Sequence, residues 1–155
     1  MTGTGDRDGS RDGDRDEGAT LVTGAVVVHL ALTLPHGIVH GVIPVYIADW
    51  QGAYAAVVLF GLPLGGLWAV RRGRVRRGAW LALVGGLGGF AFETLAHFVV
   101  PNPDHVATVE TGRALFAGTA GLSVLGDAAL AVAAAYALWS QAQGSSATSP
   151  SDSTT

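Results

Sequence analysis

The stretch LVTGAVVVHLALTLPHGIVHGVIPVYIA, residues 21–48, contains no Asp, Glu, Lys or Arg, yet it holds three histidines, His29, His36 and His40. A straight membrane-spanning helix needs about 20 apolar residues. The run exceeds that length, so it must tilt, kink or break. Pro35 lies at its middle and Pro44 near its end, and a proline removes one helical hydrogen bond and bends the helix where it stands. The run reads as a first membrane helix, kinked at Pro35.

Three further apolar intervals follow at about residues 52–70, 78–100 and 114–140, joined by short connections. In a bilayer every backbone polar group must be satisfied within the chain, and short loops make successive helices antiparallel neighbours. The sequence therefore predicts an all-α integral membrane protein, a four-helix antiparallel bundle. The composition agrees, with 49% hydrophobic residues, only 14% charged residues, 23 glycines and a mean hydropathy of +0.39. The bilayer is the expected environment, and a Gly-rich surface is compatible with a homodimer or a larger membrane complex.

The charges that remain sit outside these intervals. Residues 1–18, MTGTGDRDGSRDGDRDEG, form a Gly/Asp/Arg run with no large apolar residue after Met1, which predicts a disordered tail rather than a signal peptide. Residues 141–155 are Ser/Thr-rich with Pro150 and read as a second solvated tail. Arg71, Arg72, Arg74, Arg76 and Arg77 crowd the loop between spans two and three, whereas the opposite loops carry only Arg113. The positive-inside rule then puts the arginine loop and both termini in the cytoplasm of a multi-pass cell-membrane protein. Trp50 at one boundary, and Trp68, Trp80 and Trp139 at the other, match interfacial aromatic belts.

Several chemistries are excluded by residues the chain lacks. Without cysteine there are no disulfides, thiolate metal sites or dithiol redox steps. Without lysine there is no Schiff-base linkage, and a net charge of −3 gives no support to a nucleic-acid partner. Histidine and carboxylate must carry any chemistry.

Those residues lie inside the spans. Besides the three histidines of span one, span three holds Glu93 and His97 in FETLAH, and span four holds Asp127. A charged group in hydrocarbon costs at least a few kcal/mol, so such residues face a bundle interior and act as ligands, proton carriers or partners for one another. His29, His36 and His40 fall within about 40° of one another around a helix. His36 and His40, like Glu93 and His97, are spaced i, i+4 and share a face. Thr119, Ser123 and Asp127 make a polar stripe on span four, and a carboxyl at the depth of Asp127 is either protonated or paired with a histidine or a cation.

Counting about 1.5 Å per residue inward from Ala48, Val100 and Gly112 sorts these groups into layers. His36 and Asp127 come deepest, at roughly 18–23 Å, then His40 and Glu93 at roughly 10–12 Å, then His97 near the outer surface. Asp104 and His105, in the loop PNPDH, are expected in water. Small-xxx-small pairs, Gly61 with Gly65 and Gly85 with Gly89, and the side of span four bearing Gly118, Gly121, Ala128 and Ala135, mark faces where helices can meet.

The set predicts an intramembrane site in the outer half of the bilayer. Its expected ligand is a transition metal ion (zinc, iron or copper) at His36, His40, Glu93 and His97, or a b-type haem between His40 and His97. Asp127 and Ser123 would serve as supporting or proton-sharing partners. Two other classes fit the same residues: a proton- or cation-coupled transport subunit, and a cofactor-free accessory protein whose polar groups only bond helices together. A His/carboxylate metal site can also activate water, but no nucleophile motif specifies a reaction.

Overall fold

The computed structural model describes residues 6–146. Its order is α1 (Asp6–Val42), α2 (Asp49–Ala55), a π-helical segment (Ala56–Gly61), α3 (Leu62–Arg71), α4 (Val75–Thr94), a second π segment (Leu95–Val99), a 3₁₀ turn (Val106–Thr108) and α5 (Arg113–Ser146). Four stretches are long and apolar enough to cross a bilayer: Asp16–Val42, Asp49–Arg71, Val75–Val99 and Arg113–Gln143. The chain is a multi-pass membrane protein folded as an all-α four-helix bundle.

The helices run alternately up and down. α5 packs along both α1 and α4, and α3 closes the bundle between α4 and α1. Gly18 of α1 lies beside Gln141, while His36 of the same helix meets Thr119, so α1 and α5 are antiparallel. One end of the bundle carries the arginine loop and the start of α1; the other carries the histidines.

Two boundaries differ from the sequence expectation. α1 begins at Asp6, inside the segment expected to be disordered, because a helix nucleated by a membrane span extends by propagation alone and pays no second nucleation cost. It is unbroken through Pro35 and ends at Val42 rather than Ala48. Pro44 disfavours helical geometry at the residue before it, and the chain runs non-helically to Ala48. There Gln51 accepts the Ala48 N–H at 2.9 Å and starts the second span. Residues 1–5 and 147–155, assigned to the tails, lie outside the described residues.

The second span changes winding midway for a similar reason. Pro63 has no N–H to give to the carbonyl of Leu59 four residues back. The chain widens into a π segment just before it, with the Leu62 N–H bonded to the Val57 carbonyl.

Close helix contact occurs at Gly85 and Gly89 as expected, where an added Cβ would lie 3.0 Å from Pro63 and 2.5 Å from Asp127, and at two further glycines. A Cβ at Gly66 would lie 2.8 Å from the Gly78 carbonyl, and one at Gly86 would lie 2.7 Å from the Ala131 nitrogen. Gly118 and Gly121 have nothing within 4 Å. At the arginine end the bundle interior is apolar, with Val22, Val26, Ala79, Ala82, Leu130 and Ala134 packed together. Towards the histidine end it turns polar: His29, His36, Glu93, His97, Ser123 and Asp127 are each no more than 3% exposed. Outward-facing Ile38, Val42, Leu125 and Val132 supply the lipid-facing surface.

Candidate metal centre

Three helical features bring three imidazoles to one point. α1 stacks His36 and His40 one turn apart, with ring centroids 4.6 Å apart. The π segment at the end of α4, closed by the Val100 N–H on the Leu95 carbonyl at 2.8 Å, aims His97 into the bundle. Phe116, fully buried on α5, packs against all three rings with centroids 5.0–5.5 Å away. The Nε2 atom of His36 then lies 3.0 Å from Nε2 of His97 and 3.1 Å from Nε2 of His40.

The partners of the other ring nitrogens decide which nitrogens carry hydrogen. Nδ1 of His97 lies 3.0 Å from the backbone carbonyl of Asp104, which can only accept, so that nitrogen is the N–H and Nε2 is a bare lone pair. Nδ1 of His36 lies 3.1 Å from the Thr119 hydroxyl. That hydroxyl also lies 2.9 and 3.1 Å from the carbonyls of Leu115 and Phe116, so its hydrogen can go to one of these and leave its oxygen to accept from His36 Nδ1. In that tautomer the Nε2 atoms of His36 and His97 face each other as lone pairs; in the other, His36 Nε2–H donates to His97 Nε2. His40 adds a third Nε2, and its buried Nδ1 has no hydrogen-bond partner.

The next connection supplies a carboxylate. Asn102, held between Pro101 and Pro103, donates to the carbonyls of Ala96 and Val100 at 2.7 and 2.6 Å and accepts the Asp104 N–H at 2.7 Å. This folds the loop back over the end of α4. Asp104 is 3% exposed, not in water as the loop sequence suggests. One carboxyl oxygen lies 3.6 Å from His40 Nε2 and the other 3.5 Å from His97 Nδ1. Burial pushes this carboxyl up to about 7. The signal was present in the sequence: two prolines flanking an Asn leave a short, stiff loop beside His97.

The remaining polar residues form a separate, deeper group. Nε2 of His29 donates to the Leu59 carbonyl at 2.8 Å, the acceptor that Pro63 leaves without its helical donor. Nδ1 of His29 faces Asp127 Oδ1 at 3.1 Å and the Thr33 hydroxyl at 3.4 Å. Ser123 lies 3.0 Å from the Thr33 hydroxyl and 2.9 Å from Glu93 Oε1. The metal set expected from sequence is thus divided: His36, His40 and His97 come together, while Glu93 joins Ser123 and is not in the triad. Asp127 pairs with His29, not with His36. His105 stays in the loop, its Nδ1 accepting the Ala107 N–H at 3.0 Å.

Comparison with known proteins adds nothing to this geometry. The chain matches no protein-family model, no curated protein and no solved structure.

The three nitrogens of the triad lie within 4.8 Å of one another. A tetrahedral zinc ion with Zn–N bonds of about 2.0–2.1 Å holds its nitrogens about 3.3 Å apart, so the observed 3.0 and 3.1 Å separations approach one ion's first shell. Hydrogen bonds from the distal ring nitrogens to a carbonyl and a hydroxyl are the usual outer support of such ligands. The arrangement can hold a metal ion.

Proposed function

We propose that this protein binds one transition metal ion of the zinc class between His36, His40 and His97, with the Asp104 carboxyl beside the site. The observation that carries this reading is the convergence of three imidazole Nε2 atoms, with that of His36 3.0 Å from His97 and 3.1 Å from His40. Three imidazoles and a buried carboxyl gathered at one point are more than a single shared proton requires. The donor set is nitrogen and oxygen without sulfur, which suits zinc, iron(II) or copper(II). A haem bridging His40 and His97 fits less well, because the His36 ring occupies the gap between them.

The positive-inside rule puts both termini in the cytoplasm and the metal centre within the outer half of the membrane. There the ion sits one short loop from the aqueous phase, and the His40 edge, with its side chain 13% exposed, is the opening. The deeper polar layer favours a second reading, in which the ion is cargo or a coupling ion of a transport subunit rather than a resident cofactor.

The test is a cobalt(II) titration of chelator-treated, full-length protein in detergent, followed by absorption. One ion per chain with the intense visible bands of a tetrahedral site, lost in His36→Ala and His97→Ala and weakened in Asp104→Asn, is the expected result. A folded protein that leaves cobalt octahedral and free, or that purifies with a Soret band, would overturn the proposal.

A further inference from the structure

The deeper group is not used by the metal centre, and its geometry is of another kind. From Glu93 Oε1 a file of polar atoms runs through Ser123 Oγ at 2.9 Å, Thr33 Oγ1 at 3.0 Å and His29 Nδ1 at 3.4 Å to Asp127 Oδ1 at 3.1 Å. Glu93, Thr33, His29, Ser123 and Asp127 are all buried, at 0–2% exposure. A carboxyl stands at each end, and the two hydroxyls between them can each donate and accept. Every step is a hydrogen-bond distance, which leaves no gap for a metal ion.

The tautomer of His29 sets the lower end. Its Nε2–H is spent on the Leu59 carbonyl, so Nδ1 turns a lone pair towards Asp127 unless a proton lies between them. Neither oxygen of Asp127 makes a hydrogen bond, so the 3.1 Å approach of His29 Nδ1 to Oδ1 is a charge contact, and an added Cβ at Gly89 would lie 2.5 Å from that oxygen. At the upper end Glu93 Oε2 is buried and unpartnered. Among the described residues, the ionisable groups acting on this file are His29 on α1, Glu93 on α4 and Asp127 on α5, with Asp104 acting on Glu93 from the loop.

We infer that Glu93, Ser123, Thr33, His29 and Asp127 form a proton-transfer path in the membrane interior, with Glu93 as one proton station and the His29–Asp127 pair as the other. With one proton shared among the stations, transfer is balanced. The Glu93 O–H bond breaks as its proton passes to Ser123. The Ser123 proton moves to Thr33, and the Thr33 proton to His29 Nδ1, where it is shared with Asp127. Glu93 is left as a carboxylate, the pair becomes neutral, and the net charge of the file is unchanged, so no charge has to be created in low dielectric. The inference does not rest on the metal reading, since none of these residues belongs to the histidine triad.

The experiment is nitrogen NMR of full-length protein in lipid nanodiscs, labelled in its histidine side chains. The His29 Nδ1 signal is assigned by its loss in His29→Gln. Glu93→Gln is expected to shift the His29 Nδ1 signal, and Ser123→Ala and Thr33→Val are each expected to abolish that response, while Thr33→Ser keeps it. A His29 signal indifferent to Glu93→Gln in a folded bundle overturns the path. So does a response that survives Ser123→Ala, which would report electrostatics through space. If the variants fail to fold, the unsubstituted chain decides. Its glutamate carboxyl infrared band and its His29 Nδ1 resonance should titrate with one common midpoint, and separate midpoints refute the path.

Discussion

Two polar layers lie about a helical turn apart in the same bundle, and they are built on opposite principles. In the layer nearer the loop, His36, His40 and His97 turn three ring nitrogens towards one point, with Asp104 beside them. In the deeper layer, Glu93, Ser123, Thr33, His29 and Asp127 alternate groups that donate and accept in a line. Convergent ring nitrogens suit a cation; alternating hydroxyls can share protons. The difference shows why the identity of the buried polar residues matters less than how their second atoms are engaged. The two layers use histidine alike, and only the partners of the distal ring nitrogens separate them.

The sharpest way to break this comparison is His36→Ala. His36 is the only imidazole whose Nε2 lies within 3.1 Å of both others. Removing it should cost more metal affinity than the ~10–100-fold typical of an outer-shell change. The carboxyl file should be untouched. Competition titration against a zinc indicator measures the first effect, and the His29 Nδ1 signal checks the second.

Gly89→Ala strikes the other layer. The new methyl would lie 2.5–2.7 Å from the carboxyl atoms of Asp127, which is wholly buried and has no room to retreat. Overpacking of this kind costs about 1–3 kcal/mol. A lowered thermal unfolding midpoint in detergent, with metal stoichiometry unchanged, is the expected outcome; loss of metal would mean that the layers are mechanically one.

These layers were only partly legible in the sequence. The four spans and the burial of His36, His97, Glu93 and Asp127 follow directly from charge-free intervals and the cost of a charge in lipid. The pairing does not, because counting residues measures depth only along a regular helix. α1 stops at Val42, six positions before the Ala48 used as the boundary, so His36 is shallower than the count implies and meets His97 rather than Asp127. The π segment at Leu95–Val99 adds a residue to its turn and re-aims His97, which no 3.6-residue period reveals. Asp104 was assigned to water because nothing in hydropathy shows that Asn102 folds its loop inward.

Thr119→Val separates support from ligation within the upper layer. It leaves His36 in place but removes the acceptor that fixes its Nδ1–H. Loss of such an outer partner typically costs ~10–100-fold in metal affinity. Thr119→Ser should restore it, because the hydroxyl rather than the methyl does the fixing. The same zinc titration reads both variants.

The smallest effect is a pH slope, and it tells the layers apart without touching either. The Asp104 carboxyl sits at about 7 in the fold against its ordinary value of 3.8, raised by burial. Between those limits the folded protein keeps a proton on Asp104 that the unfolded chain has lost, so the contribution of Asp104 to stability falls as pH rises from about 4 to about 7 and levels off above. A metal ion among the imidazoles would stabilise the carboxylate and flatten this slope. Unfolding midpoints of the protein in detergent, with chelator and with zinc, should therefore converge at low pH and diverge towards pH 7. Asp104→Asn should remove the slope in chelator. If the slope in chelator is unchanged by that substitution, the Asp104 carboxyl is not the group behind it.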